Sequence, residues 1–163
     1  MQRLPILAMI IVSTGLKNRE AETMILARIF LFYWLPLLIY LVLIFTQSAF
    51  PAPQTGLKIP HLDKWAHAAI YGLLGILFCR AYGHTWPRMD SRWLMILSIL
   101  SAALFGLSDE IHQYFVPSRS ADRMDLLADF LGSAVGVSIY TAVRLRKRLI
   151  RTKSAIDKND NFL

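Results

Sequence analysis

Cysteine is nearly missing from this chain: Cys79 is the only one among 163 residues. A single thiol excludes a disulfide framework and a thiolate metal site. It lies in an apolar run and reads as a packed, inert side chain. No internal repeat and no low-complexity tract is present. His67, His112, Asp109 and Glu110 are each competent metal ligands, but no HExxH or comparable ligand spacing occurs. No metal site and no cofactor is therefore assigned. Ser108 stands in GLSDE, which lacks the GxSxG elbow and gives no support to a serine hydrolase.

What the chain has in excess is apolar surface. Hydrophobic residues make up 55% and the mean hydropathy is +0.44. That is too apolar for an ordinary soluble domain and places the chain among integral membrane proteins of one domain. The net charge of +7 does not call for nucleic acid, because Lys and Arg cluster where membrane topology wants them.

Residues 29–45 carry no charge, long enough with their uncharged flank for a first transmembrane helix. Pro36 should kink it, which a membrane helix tolerates. Residues 1–23 have no run of spanning length. They read as a cytoplasmic extension, on the membrane surface or preceding a true start at Met24. Residues 49–60, with Pro51, Pro53, Gly56 and Pro60, read as a loop. Residues 65–79, entered from His61 to Lys64, read as the second helix, and 93–107 as the third, with Ser98, Ser101, Ala102, Ala103 and Gly106 for close packing. If the third helix continues, Asp109 and Gln113 stack one turn apart until Pro117 ends it. Residues 126–143 are the fourth, where Gly132 and Gly136 form a GxxxG packing surface. The basic stretch 144–153 suits phosphate headgroups and topology. The expected fold is all-α: a bundle of four transmembrane helices.

Four spans put both ends on one side. That side holds fourteen Lys and Arg and the other four, namely Lys58, Lys64, Arg119 and Arg123. The positive-inside rule then makes both termini cytoplasmic. Charged groups scattered along the chain converge on the outer face. Asp63, His67 and Tyr71 recur every four residues on one face of the second helix. Asp109, Glu110, Gln113 and Arg119 follow the third, and Asp125 and Asp129 open the fourth, where the helix dipole favours carboxylates. Ionisable groups inside a membrane are costly and so point to function. Asp63, His67 and Glu110 are the catalytic candidates, with His67 an acid–base group whose pKa a neighbouring carboxylate would raise. Lys64, Asp109, Gln113, Arg119, Asp125 and Asp129 are the binding candidates, Lys64 and Arg119 suiting a phosphate or carboxylate. The competing reading is a buried polar network of Asp63, Arg119 and Asp125 that fixes helix register. Tyr71, Trp65 and Trp93 read as packing and interface anchors.

Three motifs in order, D-K-x-x-H-x-x-x-Y from Asp63, D-E-x-x-Q-x-F-x-P-x-R from Asp109 and D-x-x-x-D-x-x-G from Asp125, resemble the VanZ-like family over about residues 30–145. The family often has Asn where this chain has Asp129. The resemblance implies a bacterial inner-membrane protein whose four-helix membrane domain spans 24–145, with a basic cytoplasmic tail at 146–163. It also implies an association, for the founding member, with low-level resistance to the glycopeptide teicoplanin. It names no reaction. The expected partners are membrane lipid and a lipid-linked or cell-wall precursor, an anionic one engaged at the outer face. An enzyme acting on a lipid-linked phosphate or acyl group, and a purely structural membrane protein, are the alternatives.

Overall fold

A computed structural model describes residues 19–50, 62–117, 119 and 122–160. All regular structure among them is helical: α1 (Arg19–Ser48), α2 (Leu62–Thr85), α3 (Ser91–Tyr114) and α4 (Arg123–Asp160). Residues 1–18 of the expected extension and most of the loop before α2 lie outside the described residues. The helix of Arg19 runs through Met24 into the first apolar run without a break.

The disturbance expected at Pro36 takes a specific form. A π turn, Phe30–Trp34, ends one residue short of the proline, and the intervening Leu35 N–H reaches the Phe30 carbonyl five residues back. Proline brings no N–H to the ladder, and a wider turn re-pairs the neighbouring carbonyls. Two aspartates start the later helices. Asp90 Oδ1 accepts from the Arg92 N–H at 2.7 Å, and Asp122 Oδ1 from the Met124 N–H at 2.8 Å. Each satisfies a donor that a helix start leaves unpaired. The third helix extends through Asp109 and Gln113 to Tyr114. The fourth continues through the basic stretch, which has good helix formers and no Gly or Pro.

Among the described residues, three helices are long and apolar enough to cross a membrane: Arg19–Ser48, Ser91–Tyr114 and the Arg123–Ser154 part of α4. Helix α2 falls short of that standard. Asp63, Lys64, His67, Arg80 and His84 interrupt its apolar sequence, and much of its remaining surface is glycine, alanine and tyrosine turned inward.

Helix direction alternates along the chain, so α2 and α4 run parallel. Their contacts step together: Lys64 with Asp125, His67 with Asp129, Cys79 with Thr141, and Gly83 with Arg144. Small residues make this seam. A Cβ added at Gly132 would press on the Ala68 carbonyl and lie 2.6 Å from the Ala68 Cα; one at Gly136 would lie 2.9 Å from the Gly72 carbonyl carbon. The GxxxG therefore packs on an Ala68–Gly72 pair at the same spacing, backbone to backbone. Around the seam, Tyr71, Leu74, Ala102 and Leu37 form one buried cluster, and Cys79, Leu94 and Val137 a second. Cys79 is free and buried, as its apolar run indicated.

Candidate functional site

The close seam sets the site. One turn beyond Ala68, backbone approach leaves the side chains of α2 and α4 no distance to escape each other. Lys64 Nζ lies 2.6 Å from Asp125 Oδ1, 2.5 Å from Asp122 Oδ2 and 3.1 Å from Asp63 Oδ2. His67 Nδ1 lies 2.9 Å from Asp129 Oδ1, and its Nε2 is 3.8 Å from Asp125 Oδ2. With Asp129 ionised, Nδ1–H donates to it and fixes the ring's tautomer. Asp129 is fully buried, and Lys64 keeps 21% of its side chain exposed.

Helix α3 closes the third side. Asp109, Glu110 and Gln113 are all buried there. Gln113 Nε2 donates to Asp109 Oδ2 at 3.0 Å, the one-turn stacking that the spacing suggested. Glu110 Oε2 accepts the Asp122 N–H at 2.9 Å and so ties the loop before α4 to α3. Room for Asp129 comes from Gly106. A Cβ there would sit 2.8 Å from Asp129 Oδ2 and 3.1 Å from Tyr71 Cε1.

Several buried carboxyl oxygens in this region have no hydrogen-bond partner by distance and angle among the described residues: Asp109 Oδ1, Glu110 Oε1 and Asp129 Oδ2. Leaving a buried polar group unpaired costs about 1–3 kcal/mol, more for a charge. A network built only for packing would not accumulate such groups within one pocket. One donor atom each from His67, Glu110 and Asp129 lies within 4.8 Å of the other two. An open groove between α3 and α4, walled by Leu107, Ile111, Tyr114, Phe115 and Leu126, leads to Glu110 and Asp122.

The expected site residues are thus mostly brought together, with two differences. Arg119 does not fork onto a carboxylate. Its Nε donates to the Phe50 carbonyl at 2.9 Å and its Nη2 to the Gln47 carbonyl at 3.1 Å. Carbonyls at the C-terminal end of α1 lack helix donors, and a guanidinium satisfies them well. Arg119 therefore pins α1 to the loop before α4, and the expected Asp63–Arg119–Asp125 network is replaced by one centred on Lys64. Asp63 itself is exposed at 62% of its side chain and, among the described residues, forms an ion pair with Lys64 alone. His112 stays apart, its ring stacked on Phe45 at 4.4 Å.

Asp122 was not among the expected site residues, and Tyr71 was read as packing alone. The signal for Asp122 was its place just before an apolar helix, where a short acidic residue caps. Its carboxyl is held below the usual carboxylate range, chiefly by Lys64 and next by the Met124 N–H. Nothing local in the sequence says that Lys64 meets it.

Fold and site together define a helical membrane protein with a carboxylate-rich pocket, one lysine and one histidine, at one end of its bundle. The VanZ/LLP1 family model matches residues 6–145, and the chain belongs to that family. The match starts inside the stretch read as an extension. No curated protein and no solved structure matches the chain.

Proposed function

We propose that this protein receives a membrane lipid or lipid-linked cell-wall precursor sideways from the bilayer, its chain in the α3–α4 groove and its head at the carboxylate pocket. The observation that carries this is the continuity of an apolar groove with buried Glu110. A groove that is greasy along its wall and polar at its end matches an amphiphile. The family's association with teicoplanin favours a cell-wall precursor. Lys64 and Arg119, read from sequence as the clamp for an anion, are each already held by acceptors of the protein. An anionic head would thus meet the pocket through something that offsets its carboxylates, or through Arg123 at the groove's edge. Leu126→Trp, which fills the groove from its wall, tests the reading. Mass spectrometry of the detergent-purified protein should find a lipid or precursor that co-purifies with wild type and falls at least about tenfold in the variant. Equal lipid content in both would remove the proposal.

A second reading is favoured by the His67–Asp129 pair. A carboxylate that orients an imidazole is the usual support of a general base, so the pocket could act on a lipid-linked phosphate or acyl group. His67→Gln keeps hydrogen bonding without proton exchange near neutral pH. It would silence an enzyme and only weaken a binder, as glycopeptide susceptibility would read out.

We further propose that α2 is the fourth span, that the membrane is the bacterial inner membrane, and that the pocket faces outward with both termini inside. Support comes from the fourteen basic residues against four and from the length of α2, 24 residues, about 36 Å of helix. In intact cells, a cysteine at Gly56 or Ser120 should react with a membrane-impermeant thiol reagent, and one at Thr85 should not. Labelling at Thr85 alone would invert the orientation.

A further inference from the structure

We propose that His67, Glu110 and Asp129 form a divalent-cation site, for Zn²⁺ or Mn²⁺, with Glu110 also lining the groove. Three helices supply one ligand each: α2, α3 and α4. One donor atom from each lies within 4.8 Å of the other two. Around a single tetrahedral ion, donors at about 2.0–2.2 Å sit roughly 3.4 Å apart, so small side-chain adjustments close the set. One imidazole and two carboxylates suit a borderline ion. Ca²⁺ would ask for six to eight oxygens.

Two further observations point at a ligand. Glu110 is only 6% exposed and Asp129 is fully buried, yet Glu110 Oε1 and Asp129 Oδ2 have no hydrogen-bond donor among the described residues. Asp129 Oδ2 faces α3 at Gly106, one turn from Glu110 on the same helix face. The space is kept by the absence of a side chain at position 106. Where two buried carboxylates approach this closely their charges repel, and a cation between them reverses the sign of that interaction. The other oxygen of Glu110 is held by the Asp122 N–H, an outer bond of the kind that orients a metal ligand, and the ion would take the place of the proton that His67 Nδ1 and Asp129 Oδ1 share.

The site stands on its own geometry and does not require the lipid reading. If both hold, the ion would offset the carboxylates and bridge them to a phosphate arriving along the groove.

The test uses the full chain purified in detergent, stripped with chelator and titrated with ZnCl₂ or MnCl₂ alone. Wild type should bind one ion per chain by calorimetry and elemental analysis. Glu110→Gln and Asp129→Asn should each weaken binding at least about tenfold. Asp90→Asn, at the other end of the bundle, should leave it unchanged. Should a variant fail to fold, wild type alone still decides: pulsed EPR of the Mn²⁺-loaded protein should show coupling to a histidine nitrogen. No bound ion in wild type, an ion without nitrogen coupling, or binding equal in Glu110→Gln, Asp129→Asn and wild type would each overturn the site. Metal binding that persists in Leu126→Trp while the lipid is lost separates this site from the groove.

Discussion

The two ends of the bundle treat their polar groups in opposite ways. At the end of Thr85 and Arg144, polar side chains are matched by near neighbours. Trp34 Nε1 donates to Thr85 Oγ1 at 2.9 Å, and Thr85 in turn donates to the Ala81 carbonyl. Tyr82 and Ser101 share a hydrogen bond at 2.8 Å, and Arg144 reaches the Gly83 carbonyl. His84 stacks on Tyr33 at 3.7 Å, and the Arg80 guanidinium lies over the Tyr33 ring at 5.7 Å from its centroid. At the other end, buried carboxylates crowd one lysine and one histidine, and several of their oxygens have no donor among the described residues. The first end has the character of a structural clasp. The second holds unpaired acceptors whose natural use is to meet something from outside, as functional sites do at the expense of stability.

The largest expected effect tests what joins the ends. Gly132→Val would push a branched side chain into the Ala68 backbone and force α2 from α4. Overpacking costs 1–3 kcal/mol and, against rigid backbone, about 3 or more here. Thermal unfolding in detergent should show the folded protein badly weakened or lost. A variant as stable as wild type would mean that the seam is looser than described.

A paired substitution sharpens the contrast between the ends. Thr85→Val removes the partner of the Trp34 N–H and should cost about 1 kcal/mol. Asp109→Asn keeps the shape and the acceptor for Gln113 while replacing the carboxyl oxygen that has no partner among the described residues. It should leave stability unchanged or raise it by about 1 kcal/mol, while weakening function. Destabilisation by Asp109→Asn as large as that by Thr85→Val would erase the distinction.

The smallest effect is pH-dependent. The Asp122 carboxyl titrates below the ordinary carboxylate range because Lys64 and the Met124 N–H favour its ionised form. Its contribution to stability is therefore present above the unfolded-state value of about 3.9. It is lost as the pH falls through the lower folded-state value. Asp122→Asn keeps the helix cap and loses the charge. Its melting temperature should lie slightly below wild type at neutral pH, with the gap closing in acid. A gap that is constant with pH would mean that Lys64 contributes nothing through Asp122.

The contrast between ends was half visible in the residue order. Asp109 and Gln113 met as their four-residue spacing said, because α-helix geometry is local. The GxxxG marked a packing face, yet its partner Ala68–Gly72 became evident only once two parallel helices lay side by side. Arg119 shows the limit most plainly. Its charge and its end of the bundle were readable, but not that the Gln47 and Phe50 carbonyls at the end of α1 would compete for it and win over Asp125.

By itself the sequence determined that the chain is helical and membrane-borne, that its charges gather toward the ends of apolar runs, and that it resembles the VanZ-like family. Those properties follow from composition and from periodicities that each segment carries alone. Only the tertiary structure decided that Lys64 serves Asp122 and Asp125, that His67 meets Asp129, and that Gly106 leaves space for the buried Asp129 carboxylate. Pairings of that kind depend on how closely two backbones approach and in which register, and no single helix encodes either.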